Sequence, residues 1–542
     1  MVTVNPTHLT CPSVVIVGAG TFGLSTAAHL LERGYTDVTV LDRAPVLPAQ
    51  DAASTDINKV VRSCYTDRFY TALARRAIEA WKGPEWEGCY HESGILLVRK
   101  HPDPPPLPAA GLGDGAYSSP DLGDVAYEND RALGARTTRI TTPASIRAAL
   151  AVDTAYIGFG NSLLSPASHT TLSPPTSSPK SSPTTYSGSH NLDGGWAEAA
   201  RAVSVLLARV RAQGGKVWAG CEVRGLVWEE DVVGGSEGVG GEGRAQRKCV
   251  GVRVLRRRGD TTHNSAGADT TEEVIRGDIV VLAAGAWTAS AFPELGPSVQ
   301  GRCVATGQSV ATIQLTPASA APYRDAPVFL DFDTGFYVFP PNPDNIVKFA
   351  LHAAGHTYVP DNGTSPNASV GTDLNSNLNS SRVSTPRTIF SHPAPSLTPT
   401  ASGTPHARPD GLRIPRTVVH ELREHLRAVY PALADMEFAG TRLCWYTDSP
   451  DNDWVIGRVP GAPSLVLATS GSGHAFKFLP IIGSIVADAI EGTLDPIIAR
   501  KFAVDRAIAP ATLAERDSRP VSALDEKELC SPEDLLPVRV KM

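Results

Sequence analysis

The stretch VVIVGAGTFGLSTAAHLLERGYTDVTVLD, residues 14–42, decides how the chain begins to fold. Ser13–Val17 is a short apolar run that reads as a strand, and Thr39–Leu41 ends a second one. Between them Leu24, Ala27, Ala28 and Leu31 recur at i, i+3, i+4 and i+7, which predicts a helix with one apolar face. Gly34 supplies its stop. The turn between strand and helix reads Gly18-Ala19-Gly20-Thr21-Phe22-Gly23. Gly18 permits a tight turn, Gly20 lets a pyrophosphate approach the backbone, and Gly23 lets helix and strand pack closely. The helix start offers free N–H groups and the positive end of its dipole. Asp42 follows at the end of the second strand, placed to bond a ribose hydroxyl. The motif predicts a dinucleotide site and does not by itself separate FAD from NAD.

Outward from this unit, the same grammar repeats. Trp196–Arg211 reads as a second helix, followed by a strand at Lys216–Ala219. Ile279–Ala284 and Ser464–Ala468 are further apolar strands. Strands alternating with helices predict an α/β sheet.

The chain is 542 residues long with 48 Gly and 44 Pro, more turn-forming residues than average usage supplies. Three polar tracts absorb much of that surplus: 162–190, 234–247 and 360–410. Each reads as a surface insertion that leaves the core topology alone. With 42% apolar residues the remainder is enough for a large core. A net charge of −7 with mixed signs argues against nucleic-acid binding. No apolar run reaches the roughly 20 residues of a membrane span, and Met1–Pro12 does not read as a secretory signal. The eight scattered cysteines lack any C-x-x-C pair, which fits a reducing, intracellular compartment and no structural metal.

Two motif matches fail on context. Gly234–Gly238 has the G-x-S-x-G spacing of a hydrolase elbow, but it lies in a Gly-rich tract with no strand before it. His420 and His425 in HELREH stand at i, i+5, about 140° apart on a helix, so the segment predicts a solvated helix face and no metal site.

In the second half, Thr441–Thr447 (TRLCWYT) precedes a turn and a strand. Ser470–Phe478 (SGSGHAFKF) then forms a Gly-rich corner before an apolar helix from about Leu479. Such a corner suits an anion or a flavin edge.

These stretches carry a resemblance. VIVGAGTFGLSTAAHL, STDINKVVR, VVLAAGAWT, GFYVFPPNPDNIVKFALH, CWYTDSPDNDWVIG and GSGHAFKFLPIIG are similar to motifs of the monomeric sarcosine oxidase family of flavin amine oxidases. The fungal fructosyl-amino-acid, saccharopine and pipecolate oxidases are the nearest in pattern. The resemblance spans Val14 to about Arg500. It implies a Rossmann-type FAD-binding domain interleaved with a smaller α+β substrate domain built on an antiparallel sheet. The expected FAD-binding segments are 10–90, 191–300 and 440–500, with substrate-domain segments 91–160 and 301–439 and a tail at 501–542.

By that resemblance Cys444 carries FAD covalently, and Lys348 is the lysine over the flavin that promotes reaction with O2. Arg62 and Lys477 grip the substrate carboxylate, a use suited to a planar fork and a point charge. Tyr337, His352, Tyr446 and His474 line the substrate cavity or flavin edge. Lys59 replaces an arginine over one flavin face. Gly18, Gly20, Thr21, Phe22, Gly23, Asp42, Arg43, Val223, Ala284, Gly285, Trp287, Gly471 and Gly473 are the remaining expected FAD contacts, and His474 and Lys477 count among the cofactor contacts too. The implied reaction is oxidation of the C–N bond of a secondary amine or amino acid derivative, giving an imine and then a carbonyl plus amine, with O2 reduced to H2O2. The expected partners are a small-molecule amine and O2, and the expected state is a monomer. Alternatives are a tailoring oxidoreductase of amino-acid-derived intermediates in fungal secondary metabolism and, more remotely, an NAD-dependent dehydrogenase. The C-terminal Val540-Lys541-Met542 is a poor peroxisomal signal, leaving a cytoplasmic or peroxisomal location as the expectation.

Overall fold

The computed structural model describes residues 11–101, 122–153, 157–158, 185–230, 246–257, 270–360, 383–389, 391–392, 410–508 and 521–537. The first unit folds as its sequence dictates. Strand Val14–Val17 is buried at every position, and helix Thr21–Glu32 buries Leu24, Ala27, Ala28 and Leu30. At roughly 1.5–3 kcal/mol per buried leucine, that stripe is what docks the helix on the sheet. The sheet has six strands. Ala462–Thr469, Ile279–Leu282, Val14–Val17, Val38–Leu41 and Lys216–Trp218 run parallel in that order, and Val455–Val459 is an antiparallel edge. Helices Thr21–Glu32, Ala199–Ala212 and Ile482–Glu491 cover one face. A three-stranded sheet of Cys221–Glu230, Arg247–Arg257 and Thr270–Arg276 packs on the other.

A ten-stranded sheet forms the second body. Its centre is Val304–Gln314, paired antiparallel with Ile346–Leu351 on one side and with Gly440–Asp448 on the other. The sheet is antiparallel except where Val328–Asp331 runs beside Ile95–Val98 and His356–Thr357 beside Ser522–Ala523. Helix Arg416–Val429 packs on it through Val419, Leu422 and Leu426. A small apolar cluster including Cys64, Trp196, Tyr337, Phe339 and Cys444 ties the Lys59–Val61 region to this sheet.

Several boundaries differ from the sequence reading. Trp196 belongs to the strand Gly195–Ala197, and the helix begins only at Ala199, because Trp196 stacks on His91 across a strand pair. Thr185–Asn191, placed at the end of a polar insertion, is a strand paired with Ile95–His101. Its alternation of Ser and polar residues hid it, since its inward side chains are serines. Gly440–Asp448, assigned to the FAD-binding segments, is a strand of the ten-stranded sheet. Of the 360–410 tract, residues 383–389 are packed, with Ser384, Arg387 and Thr388 buried. The Gly234–Gly238 match lies outside the described residues.

The HELREH segment is not solvated throughout. Arg423 is 1% exposed, and its guanidinium donates to the carbonyls of Ala434, Met436, Leu535 and Leu536 at 2.6–3.1 Å. His425 stacks on Phe336. Among the described residues no His/Cys/Asp/Glu group could hold a metal, no cysteine is disulfide-bonded, and no helix is long and apolar enough to cross a membrane.

Candidate active site

A cavity of about 530 Å³ opens at the C-terminal ends of the parallel strands and runs to the ten-stranded sheet. Its wall includes Gly18, Gly20, Thr21 and Phe22 at the first turn, and Asp42 and Arg43 after the second strand. Val223, Ala284, Gly285 and Trp287 follow, Gly471 stands beside Phe22, and Lys59, Tyr446, Gly473 and His474 line the far end. Gly23 lies off the wall, packed on the backbone of Gly18.

The first turn has the geometry that its sequence requires. Gly18 adopts φ +107°, a conformation side chains rarely take, and a methyl group there would run into the Ala283 carbonyl. The Thr21–Glu32 helix starts at Gly20 with no side-chain cap, so its first N–H groups face the cavity. Asp42 accepts from Ala19 N at 2.8 Å and Ala44 N at 2.9 Å, which fixes the turn to the end of the second strand. Burial raises its pKa. Arg43 lies over the Trp287 ring at 4.1 Å. Bare glycine backbone, a free helix start and a held carboxylate fit the pyrophosphate and ribose of FAD, and the far end of the cavity is lined with aromatic groups that suit a flat ring.

At that far end two lysines share one carboxylate. Asp56 Oδ2 lies 2.6 Å from Lys348 Nζ and 2.8 Å from Lys59 Nζ. Lys348 is fully buried and also donates to the Asn58 carbonyl at 2.6 Å. Burial pulls its pKa down to about 8, against the pull of Asp56. Burial would raise the Asp56 carboxyl, but Lys348 and Lys59 overcome it and hold it well below the usual carboxylate range. Lys59 moves the other way: burial lowers it, and Asp56 more than compensates. Lys59 Nζ is 3.6 Å from Cys444 Sγ, and Cys444 is buried directly behind the wall residue Trp445. Tyr337 is buried beside this group, and burial raises its phenol well above the usual value. Lys348, Tyr337 and Cys444 thus stand behind the wall, and Lys59 reaches it.

Arg62 and Lys477 meet at Tyr65. The Arg62 guanidinium lies 4.4 Å from the Tyr65 ring centroid, and Lys477 Nζ donates to the Tyr65 hydroxyl at 2.7 Å. His474 continues the chain, with Nδ1 at 3.2 Å from that hydroxyl and Nε2 at 3.0 Å from the Asn452 carbonyl. A carbonyl partner requires the proton on Nε2, so Nδ1 accepts from Tyr65. Gly473 has φ +70°, and a methyl group there would stand 2.7 Å from the Tyr446 ring and 3.0 Å from His352. That close approach brings Tyr446, His352 and His474 to one corner.

Sequence reasoning did not single out Asp56, Tyr65 or the cavity-lining Thr385 and Thr388. Asp56 was legible inside STDINKVVR as an acid among strand formers. Tyr65 and the 383–392 segment carried no local signal, because their roles depend on distant partners.

The chain matches the sequence profile described as DAO, FAD dependent oxidoreductase, over residues 13–489. It is 28% identical over 488 residues to the L-saccharopine oxidase of Schizosaccharomyces pombe, covering 89% of this chain and 90% of that one. An amino acid oxidase of Aspergillus flavus is 23% identical, with 88% of this chain and 92% of the relative covered. In fold it resembles the fructosamine oxidase Amadoriase II from Aspergillus fumigatus, with a TM-score of 0.64 at 23% identity over 96% of this chain and 97% of that one. A modified fructosyl peptide oxidase from Aspergillus nidulans gives 0.68 at 23% identity over 95% and 98%. A glycine turn, a free helix start and a cavity shaped for a dinucleotide therefore have the origin the profile names: the chain belongs to the DAO family of FAD dependent oxidoreductases.

Proposed function

We propose that the protein is an oxidase of the C–N bond of a secondary amine carried by an amino acid derivative, of the sarcosine, pipecolate, saccharopine or fructosyl amino acid type. The observation that carries this is the convergence of Arg62 and Lys477 on Tyr65, with Arg62 a few residues along the chain from Lys59. A carboxylate entering there meets a planar fork and a point charge, and is held by its acid end. The identity to a saccharopine oxidase supports the same substrate class.

When bound, FAD supplies the two-electron acceptor for the amine and the donor for O2. The residues of this chain supply position and charge. Arg62 and Lys477 orient the substrate by its carboxylate, so that the C–H next to nitrogen is presented to the cofactor. Tyr446, His352 and His474 shape the corner beside it. The imine product hydrolyses in water to an amine and a carbonyl compound. Lys59 and Lys348 place positive charge where negative charge develops as O2 is reduced to H2O2. Cys444 is the residue we assign to a covalent link with FAD.

The similarity to amino acid oxidases of Aspergillus flavus and Aspergillus fumigatus supports a second reading, a tailoring enzyme for an amino-acid-derived intermediate. One experiment tests the cofactor and a second the substrate. The purified protein should be yellow, and colour should stay in an acid precipitate of the wild type but leave that of Cys444→Ala. A colourless native protein overturns the reading. H2O2 release is then measured with sarcosine, pipecolate, saccharopine and fructosyl amino acids. Turnover of none of them, with turnover of an N-alkylated intermediate, favours the second reading.

A further inference from the structure

Asp56 sits at the centre of the lysine pair. One of its oxygens, Oδ2, takes both ammonium groups, while Oδ1 accepts from Ile57 N at 2.8 Å. The carboxylate is therefore anchored to the backbone and holds one orientation. It is 5% exposed, and Lys348 opposite it is wholly buried, with Nζ 5.1 Å from the Phe339 ring centroid. The groups facing this cluster are Arg442, which donates to the carbonyls of Ala52 and Thr55, together with Tyr337 and Cys444. Positive charge is thus in excess around a single carboxylate. Buried like charges repel strongly, and removing their shared counter-ion discharges the more deeply buried of the two.

We propose that Asp56 is a positioning residue for the oxygen half of the reaction: by sharing one oxygen between Lys348 and Lys59 it fixes both ammonium groups beside Cys444. The inference rests on the reading of Lys348 as the lysine that serves O2. In that half-reaction the reduced cofactor gives two electrons and two protons to O2, so that FADH2 and O2 become FAD and H2O2. Asp56 touches neither reactant. It acts through Lys348, by holding its ammonium in place and keeping its proton on. The amine half-reaction does not use this charge, so the two halves should separate.

The test compares Asp56→Asn, Asp56→Glu, Lys348→Met and the double variant Asp56→Asn/Lys348→Met as holoenzymes of matched FAD content. Each is reduced anaerobically by its amine substrate and then mixed with O2. Asp56→Asn is expected to slow reoxidation about tenfold or more while leaving reduction within about twofold. Asp56→Glu keeps the charge but moves it by one methylene, and is expected to slow reoxidation as well. A second readout is the thermal stability of the same holoenzymes. Between pH 6 and 8 the melting temperature of Asp56→Asn should rise with pH, because a discharged Lys348 takes up a proton on unfolding. The double variant should lose that slope. Reoxidation of Asp56→Asn or Asp56→Glu at the wild-type rate, with Lys348→Met slow, overturns the inference and leaves the Lys348 reading standing. Reoxidation of Lys348→Met at the wild-type rate overturns the Lys348 reading itself. A flat pH profile for the Asp56→Asn holoenzyme also overturns the role assigned to Asp56.

Discussion

The hydroxyl of Tyr65 lies between a lysine that donates to it and a histidine that accepts from it, so a single oxygen sets the geometry of Lys477 and His474 together. Tyr65→Phe removes that oxygen and keeps the ring under Arg62. Losing a hydrogen bond to a charged group costs about 1.5–3 kcal/mol. We expect a lower melting temperature and a raised KM for carboxylate-bearing substrates, with a smaller change in kcat, read from calorimetry and steady-state kinetics. Lys348 yields a pH prediction. Its folded-state pKa is about 8, below the ordinary lysine value, so it carries its charge below that pH and loses it above. The rate of reoxidation by O2 should therefore fall as pH rises through about 8, followed by rapid mixing of the reduced enzyme with O2. The stability term has the matching sign. From about pH 8 up to the unfolded value the unfolded chain binds the extra proton, so Lys348 favours the folded state increasingly as pH rises, and Lys348→Met removes that dependence.

At the scale of elements, the turn at Gly18 is the joint on which cofactor binding hangs. Gly18→Ala places a side chain at φ +107° against the Ala283 carbonyl. The strand and helix on either side are held by burial, so the fold should survive while the turn opens. The expected outcome is protein that melts cooperatively but purifies with little or no FAD, measured by its visible absorbance. Helix Arg416–Val429 shows a different dependence. Arg423 points inward and closes the carbonyl ends of Ala434, Met436, Leu535 and Leu536. Arg423→Met leaves the buried carbonyls of Ala434 and Leu535 without this donor, a loss of about 3 kcal/mol. The melting temperature should drop by several degrees.

At the scale of the whole molecule, the C-terminal residues close the ten-stranded sheet and reach toward the cofactor cavity. Ser522–Ala523 pairs with His356–Thr357, and Cys530 N donates to the Ile414 carbonyl. Glu526 lies 2.9 Å from the buried Arg387, whose neighbours Thr385, Pro386 and Thr388 stand in the cavity wall. A chain ending at residue 519 loses this brace. We expect it to release FAD (or, for covalent FAD, to expose residues 383–392 to protease) faster than the full chain, assayed by flavin fluorescence and limited proteolysis.

The N-terminal unit, the apolar strands of the six-stranded sheet and the dinucleotide turn were fixed by local pattern alone, because period, glycine placement and helix stops are properties of neighbouring residues. Spaced motifs carried the cofactor and the glycine turns of the wall for the same reason. Three things needed the folded chain. Strand Thr185–Asn191 buries serines and so has no apolar signal; Arg423 looks solvated until two nearby carbonyls and two from more than a hundred residues away converge on it. The grouping of Asp56 with Lys348, Lys59 and Cys444 joins residues up to 388 positions apart in the chain. Sequence named those lysines and that cysteine singly. Only the tertiary structure, by closing the Lys59–Val61 region onto the ten-stranded sheet, decided that one buried carboxylate would have to balance them.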